Sequence, residues 1–198
     1  FTTIVIAFYY CLEAFQSERR DRSILFWKSL PVSDLTTAVA KASVPLFILP
    51  LVTFAATVVT HVFMLFLGTA WRVVPVLSMW TGLFFHLLAG HGIWYAPFYG
   101  WLLLVSAWAR RAPLLWATLP LLALSLIEKI AFNTSHFAAL LLNRFAGAPE
   151  ERLPDPMHMG AHAPLQLVTS PGFWLGLAFL AACLAGAVYL RRERGQAA

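Results

Sequence analysis

His158 and His162 stand four residues apart in PMHMGAH, with Met157 and Met159 beside them. Imidazole and thioether are donors that suit copper, so the pair is a candidate metal site. Gly160 and the flanking Pro156 and Pro164 oppose a helix that would bring both rings to one face, and a flexible outer loop is the competing reading. His61, His86, His91 and His136 are scattered and form no HExxH pattern. Glu128 and Lys129 place a carboxylate beside an ammonium near the end of an apolar run. An ionisable group at membrane depth marks a substrate path by default, whereas one near the boundary suits snorkelling or local pairing. Glu128 is therefore a candidate for such a path. No GxSxG, no paired carboxylates within an apolar run and no Cys/His pair at credible spacing offers covalent or acid–base catalysis. The phosphate-cradling GxxxxGK and the dinucleotide glycine fingerprint are also missing, so the sequence offers no ATP site of its own. An enzyme is not the expectation, and no cofactor is expected on this chain.

Recognition chemistry is better represented. Residues 16–35 form a charged island containing SERRDRSILFWKSLPVSD. Arg19, Arg20, Arg22 and Lys28 stand there against Glu18, Asp21 and Asp34, around an Ile24-Leu25-Phe26-Trp27 block. As a solvated loop, the island would only hold topology. As a short helix from about Arg22 to Leu30, it would place Phe26, Trp27 and Leu30 on one side through i+3 and i+4 spacing. An apolar anchor ringed by charge suits a groove on a partner or the lipid headgroups. The docking set is thus Arg19, Arg20, Asp21, Arg22, Phe26, Trp27, Lys28 and Leu30.

The elements that carry these groups follow from composition. The chain is 60% hydrophobic and 12% charged, with a mean hydropathy of +0.74. Soluble domains carry about 25% charged residues, and several windows here have the roughly 20-residue length that crosses a bilayer. An all-α polytopic membrane bundle in a single transmembrane domain, residues 1–198, is the expected fold. Five spans are expected at about 1–15, 36–67, 91–109, 113–132 and 171–190, with an outer segment at 133–170 containing a short helix across Ser135 to Phe145. Ser33 or Asp34 is the expected N-cap of the second span, and Pro45 and Pro50 should bend it. Residues 76–90 read as interfacial, as re-entrant or as part of a long helix, and Trp94, Tyr95, Tyr99 and Trp101 as an interfacial aromatic belt. Gly172, Gly176, Ala178, Ala182 and Gly186 make a small-residue stripe on the last span, suited either to packing within the subunit or to a dimer seam. Cys11 and Cys183 lie in apolar runs and indicate no disulfide framework.

Charge sets the orientation. Arg19, Arg20, Arg22, Lys28, Lys41, Arg110, Arg111, Arg191, Arg192 and Arg194 fall on one side of this scheme, against Arg72, Lys129, Arg144 and Arg152 on the other. The positive-inside rule makes the first side cytoplasmic. Basic residues clustered at span ends, without a basic face interleaved with aromatics, exclude nucleic acid as the partner. The chain begins at Phe1 within apolar sequence, and one further span upstream, giving six with both termini inside, is the expectation.

ERRDRSILFWKSLPVSD and WYAPFYGWLLLVSAWARRAPLLWATLP, residues 94–120, resemble the corresponding segments of ABC-2 type transporter permeases, the membrane-spanning subunits of ABC exporters. The resemblance extends over essentially the whole chain. It implies six spans, a cytoplasmic coupling helix where the island lies, an outer helical excursion where 133–170 lies, and location in the bacterial plasma (inner) membrane. It also implies two kinds of partner, a separate ATPase subunit that holds ATP and magnesium and a second permease subunit in a homo- or heterodimer. The competing expectations are a membrane-embedded enzyme or metal- or haem-handling protein built on the outer histidines, and a polytopic scaffold.

Overall fold

The structure, a computed structural model, describes residues 2–20, 33–67, 76–109, 111–145 and 171–196. Those residues are helical, without a strand among them. Helix α1 is Thr2–Glu13 and α2 is Gln16–Arg20. Helix α3 (Asp34–Ser43) continues through a π-helical turn, Val44–Ile48, into α4 (Leu49–Phe66). Helix α5 (Val76–His86) runs into a second π-helical segment, Leu87–Ile93, and a turn at Trp94 and Tyr95 leads to α6 (Ala96–Trp108). Helices α7 (Pro113–Phe132), α8 (His136–Phe145) and α9 (Pro171–Gln196) complete the set.

Among the described residues, three helical runs are long and apolar enough to cross a membrane: Asp34–Phe66, Pro113–Phe132 and Gly172–Glu193. Their surfaces agree with that composition. On α7, Leu122 is 68% and Ile130 76% exposed, and on α4 Phe66 is 88% exposed. Such areas of aliphatic and aromatic surface need hydrocarbon or another protein as solvent. Alanine, by contrast, recurs in the interior: Ala7, Ala38, Ala42, Ala96, Ala107, Ala117 and Ala187 are buried. Lipid supplies no hydrophobic force between helices, so close backbone approach through small residues does the packing. Helix α6, with 13 residues, rises only about 20 Å at 1.5 Å per residue and is too short to cross alone.

Local chemistry explains the element boundaries. Ser33 caps α3, its Oγ accepting from the Thr36 N–H at 3.1 Å. Pro45 begins the π-helical turn and Pro50 follows it, both buried. A proline cannot donate to the helical ladder, and a π turn absorbs the extra residue that this gap leaves. Pro113 opens α7, and Asn133 ends it in the left-handed region at φ 51°.

The tightest association is that of α6 with α9. Gly176, Leu180, Cys183 and Ala187 form the buried face of α9. A Cβ at Gly100 would lie 2.9 Å from Leu180 Cδ1 and 3.1 Å from its Cα. We expect Gly100→Ala to force the two backbones apart and cost about 1–3 kcal/mol, the usual penalty of overpacking. Thermal unfolding of the detergent-solubilised chain checks this. The small-residue stripe is thus divided. Gly176 is buried against α6 and α8, whereas Gly172, Ala178 and Ala182 are exposed.

The aromatic belt turns inward. Tyr95 and Tyr99 are buried, and Trp94 and Trp101 are half-buried. Their polar tips link elements: Trp101 Nε1 donates to the Ala117 carbonyl at 3.1 Å, and Tyr95 Oη donates to that of Phe145 at 3.1 Å. The Phe145 carbonyl lies at a helix end, where the helix supplies no donor, and the Ala117 carbonyl has a second lone pair free, so both rings act as links between elements.

Candidate functional site

The site begins with four charged side chains at the base of the island. Glu18 lies in α2, Asp34 opens α3, Lys41 sits two turns further along α3, and Arg191 lies near the end of α9. Glu18 Oε1 is 2.7 Å from Lys41 Nζ, and Glu18 Oε2 is 3.0 Å from Arg191 Nη1. The same guanidinium reaches Asp34 Oδ1 from its Nε at 3.3 Å. Two anions meet two cations, and the network is formally neutral. Side-chain exposures of 7% for Arg191, 12% for Glu18 and 16% for Lys41 make that neutrality a requirement, because an unpaired charge in such a site would be prohibitive.

A second layer holds the four in place. Lys41 Nζ also donates to the Ala14 carbonyl between α1 and α2. The Phe15 ring lies 4.8 Å from Lys41 Nζ and 5.0 Å from the Arg191 guanidinium, so both cations rest against its π system. The Phe15 N–H donates to Ser106 Oγ at 3.0 Å, and Ser106 is wholly buried in α6. Four elements therefore converge on one ring and one guanidinium: the α1–α2 joint, α3, α6 and α9.

The geometry has a mechanical consequence. Glu18 lies on the chain entering the island and Asp34 on the chain leaving it, and both bond Arg191. A load on residues 21–32 would act on α1, α3 and α9 together rather than on one hinge. Beside this base, a cleft of about 240 Å³ lies among α1, α2 and the start of α7, with Glu13, Gln16 and Arg20 in its lining.

Of the docking set, Arg19 and Arg20 belong to α2, and the Arg20 side chain is exposed. Asp21, Arg22, Phe26, Trp27, Lys28 and Leu30 lie outside the described residues, as do His158 and His162. Glu128 is committed locally. Its Oε2 accepts from the Phe137 N–H at 2.8 Å, and its Oε1 from the His136 N–H at 2.9 Å and the Thr134 hydroxyl at 3.0 Å. It thereby caps α8, where a carboxylate favours the free N–H groups at a helix start. Among the described residues no group of three His, Cys, Asp or Glu is placed to hold a metal.

Sequence reasoning treated Lys41 and Arg191 as topology markers and missed their partnership. One signal was available: Lys41 lies within a long apolar run, where an ammonium requires a carboxylate partner. Nothing in the sequence pointed to Arg191 as the residue closing the network. Compared with protein-family models, curated proteins and solved structures, the chain has no match.

Proposed function

We propose that this chain is the membrane-spanning permease subunit of an ATP-binding cassette transporter in a bacterial inner membrane, working with a separate ATPase subunit. The observation that carries the reading is the shared anchorage of the island: Glu18 and Asp34, on either side of it, both bond Arg191. A coupling element must transmit displacement to several spans at once, and this base ties it to α1, α3, α6 and α9.

In this scheme the island faces the cytoplasm, and Phe26 and Trp27 seat in a groove of the ATPase with arginines at the rim. Nucleotide binding draws two ATPase subunits together. The island moves with them, and the spans tied to it switch the pathway between inward and outward exposure. A second permease copy completes the path, and the exposed Ala178 and Ala182 on α9 offer a close-packing surface for it. The outer excursion is α8 with the segment that follows it.

The test is co-purification. The full chain, isolated from its own membrane, should bring down an ATPase with Walker motifs. Phe26→Asp combined with Trp27→Asp should reduce its recovery about thirty-fold, the loss expected when an anchor worth 2 kcal/mol is removed. Unchanged recovery with a folded double variant would rule out docking through the island. Absence of any ATPase from the native preparation would overturn the transporter reading itself.

A further inference from the structure

Some 20 Å from the charged base, at the other ends of α6 and α9, four helices enclose a much larger cleft. Its volume is about 730 Å³, within the range of small-molecule sites, and α6, α7, α8 and α9 all contribute. Trp94, Trp101, Leu124, Leu140 and Phe179 wall it, and Asn143 and Arg144 supply the polar side chains of its lining. Both indole N–H groups are already used, that of Trp101 on Ala117 and that of Trp94 on the Arg144 carbonyl. The walls are therefore greasy, and the hydrogen-bonding capacity of the cleft lies with Asn143 and Arg144, of which Arg144 carries the charge.

Arg144 is held in a preset pose. Its Nε donates to the Trp94 carbonyl at 3.2 Å, and the guanidinium carbon lies 4.8 Å from the Trp94 ring centre. One Nη reaches beside Gly176, where an added Cβ would lie only 2.6 Å from it. That glycine leaves room for the guanidinium between α8 and α9. Among the described residues no carboxylate pairs with Arg144. Burial lowers its affinity for its proton, a tendency that a bound anion would reverse. A guanidinium held at Nε, with one Nη beside Gly176 in the lining of an apolar cleft, suits an anion attached to a hydrocarbon chain.

We propose that this cleft is a binding site for one anionic lipid, with its acyl chain against Trp101 and Phe179 and its phosphate on the Nη atoms of Arg144. The aliphatic outer surfaces of α7 and α9 bring the cleft within lateral reach of bilayer lipid, with Leu122 on α7 and Leu175 on α9 exposed beside it. The site does not depend on the chain being a permease.

The experiment uses the full chain in nanodiscs containing phosphatidylglycerol or phosphatidylcholine, each with a photoreactive diazirine in the acyl chain. Crosslinks are mapped to the peptides holding residues 94–101 and 137–144. Phosphatidylglycerol should label them about five-fold more than phosphatidylcholine, the selectivity of one well-placed arginine. Arg144→Gln should bring the two lipids to equality, while Arg192→Gln, at an exposed position near the end of α9, should leave the ratio unchanged. Leu124→Trp, which narrows the cleft from the α7 side and leaves Arg144 in place, should suppress labelling by both lipids, and it decides the matter if Arg144→Gln fails to fold. Equal labelling of the native chain, or a ratio unaffected by Arg144→Gln, would overturn the proposal. So would cleft labelling that survives Leu124→Trp. Saturating inorganic phosphate should not compete; if it abolishes the preference, the site takes a free anion and the lipid assignment fails.

Discussion

Arg191→Met is expected to destabilise the protein by about 3 kcal/mol, because it removes the partner of a buried carboxylate and leaves that charge behind. Glu18 would keep Lys41 but lose its second cation, and Asp34 would lose its contact to α9. The contribution should be graded by burial and geometry. Asp34 is 24% exposed and 3.3 Å from Arg191, so Asp34→Asn should cost less than Glu18→Gln, whose carboxylate serves two cations. Arg191→Lys should not rescue the network, since one ammonium cannot reproduce the separate Nε and Nη1 contacts. Thermal unfolding of the purified chain, with Glu18→Gln, Arg191→Met and the double variant, gives the coupling energy directly. A coupling indistinguishable from zero would show that the contacts are made but do not hold the base together. On the proposed reading, the Arg191→Met chain should still bring down an ATPase in the co-purification experiment, because the substitution leaves the island's own residues unchanged.

Gly92→Ala is expected to have a comparable effect for a different reason. Gly92 lies in the π-helical segment Leu87–Ile93, and its Cα faces the Leu46 carbonyl in the π turn Val44–Ile48. An added Cβ would overlap that oxygen and lie 3.4 Å from the Leu46 carbonyl carbon. Both atoms are backbone, so no rotamer change relieves the contact. The two π segments would have to separate. A cost of about 3 kcal/mol, the upper end of ordinary overpacking, is expected in thermal unfolding. Amide exchange should accelerate at 44–48 and 87–93 and stay unchanged in α9. Gly172→Ala is the control. Among the described residues no atom lies within 4 Å of its Cβ position, and the change should fall within about 0.5 kcal/mol of zero.

These two sites show where sequence reading reached and where it stopped. Pro45 and Pro50 predict an irregularity in the second long run, and the π turn Val44–Ile48 lies at those prolines. The expected span 113–132 coincides with α7 because Pro113 and Asn133 punctuate it chemically. The short outer helix appears one residue inside its expected start, capped by Glu128. Residues 91–109 were less legible. One crossing is expected near 91–109, and there the chain forms the end of a π segment, a turn and a 13-residue helix. The glycines and proline between His86 and Pro97 were visible interruptions, but hydropathy does not say whether a glycine loosens a helix or admits a neighbour. The aromatic residues after them could be read equally as interface anchors or internal links, and only neighbouring carbonyls decide between those roles.

Helical content, the three membrane-length runs, their caps and their proline breaks were determined by the sequence itself, because they depend on local spacing, hydropathy and backbone chemistry. The rotation of each helix about its axis was not. Outside its charged end, α9 is apolar on every side, so no periodic pattern marks the face bearing Gly176, Leu180, Cys183 and Ala187 as the inner one. Only tertiary packing chose that face. In doing so it brought Arg191 to Glu18 and Asp34, 173 and 157 residues away. The physical reason is that apolarity places a helix in lipid without orienting it. Orientation comes from close approach at small residues and from the need of each buried charge for a partner.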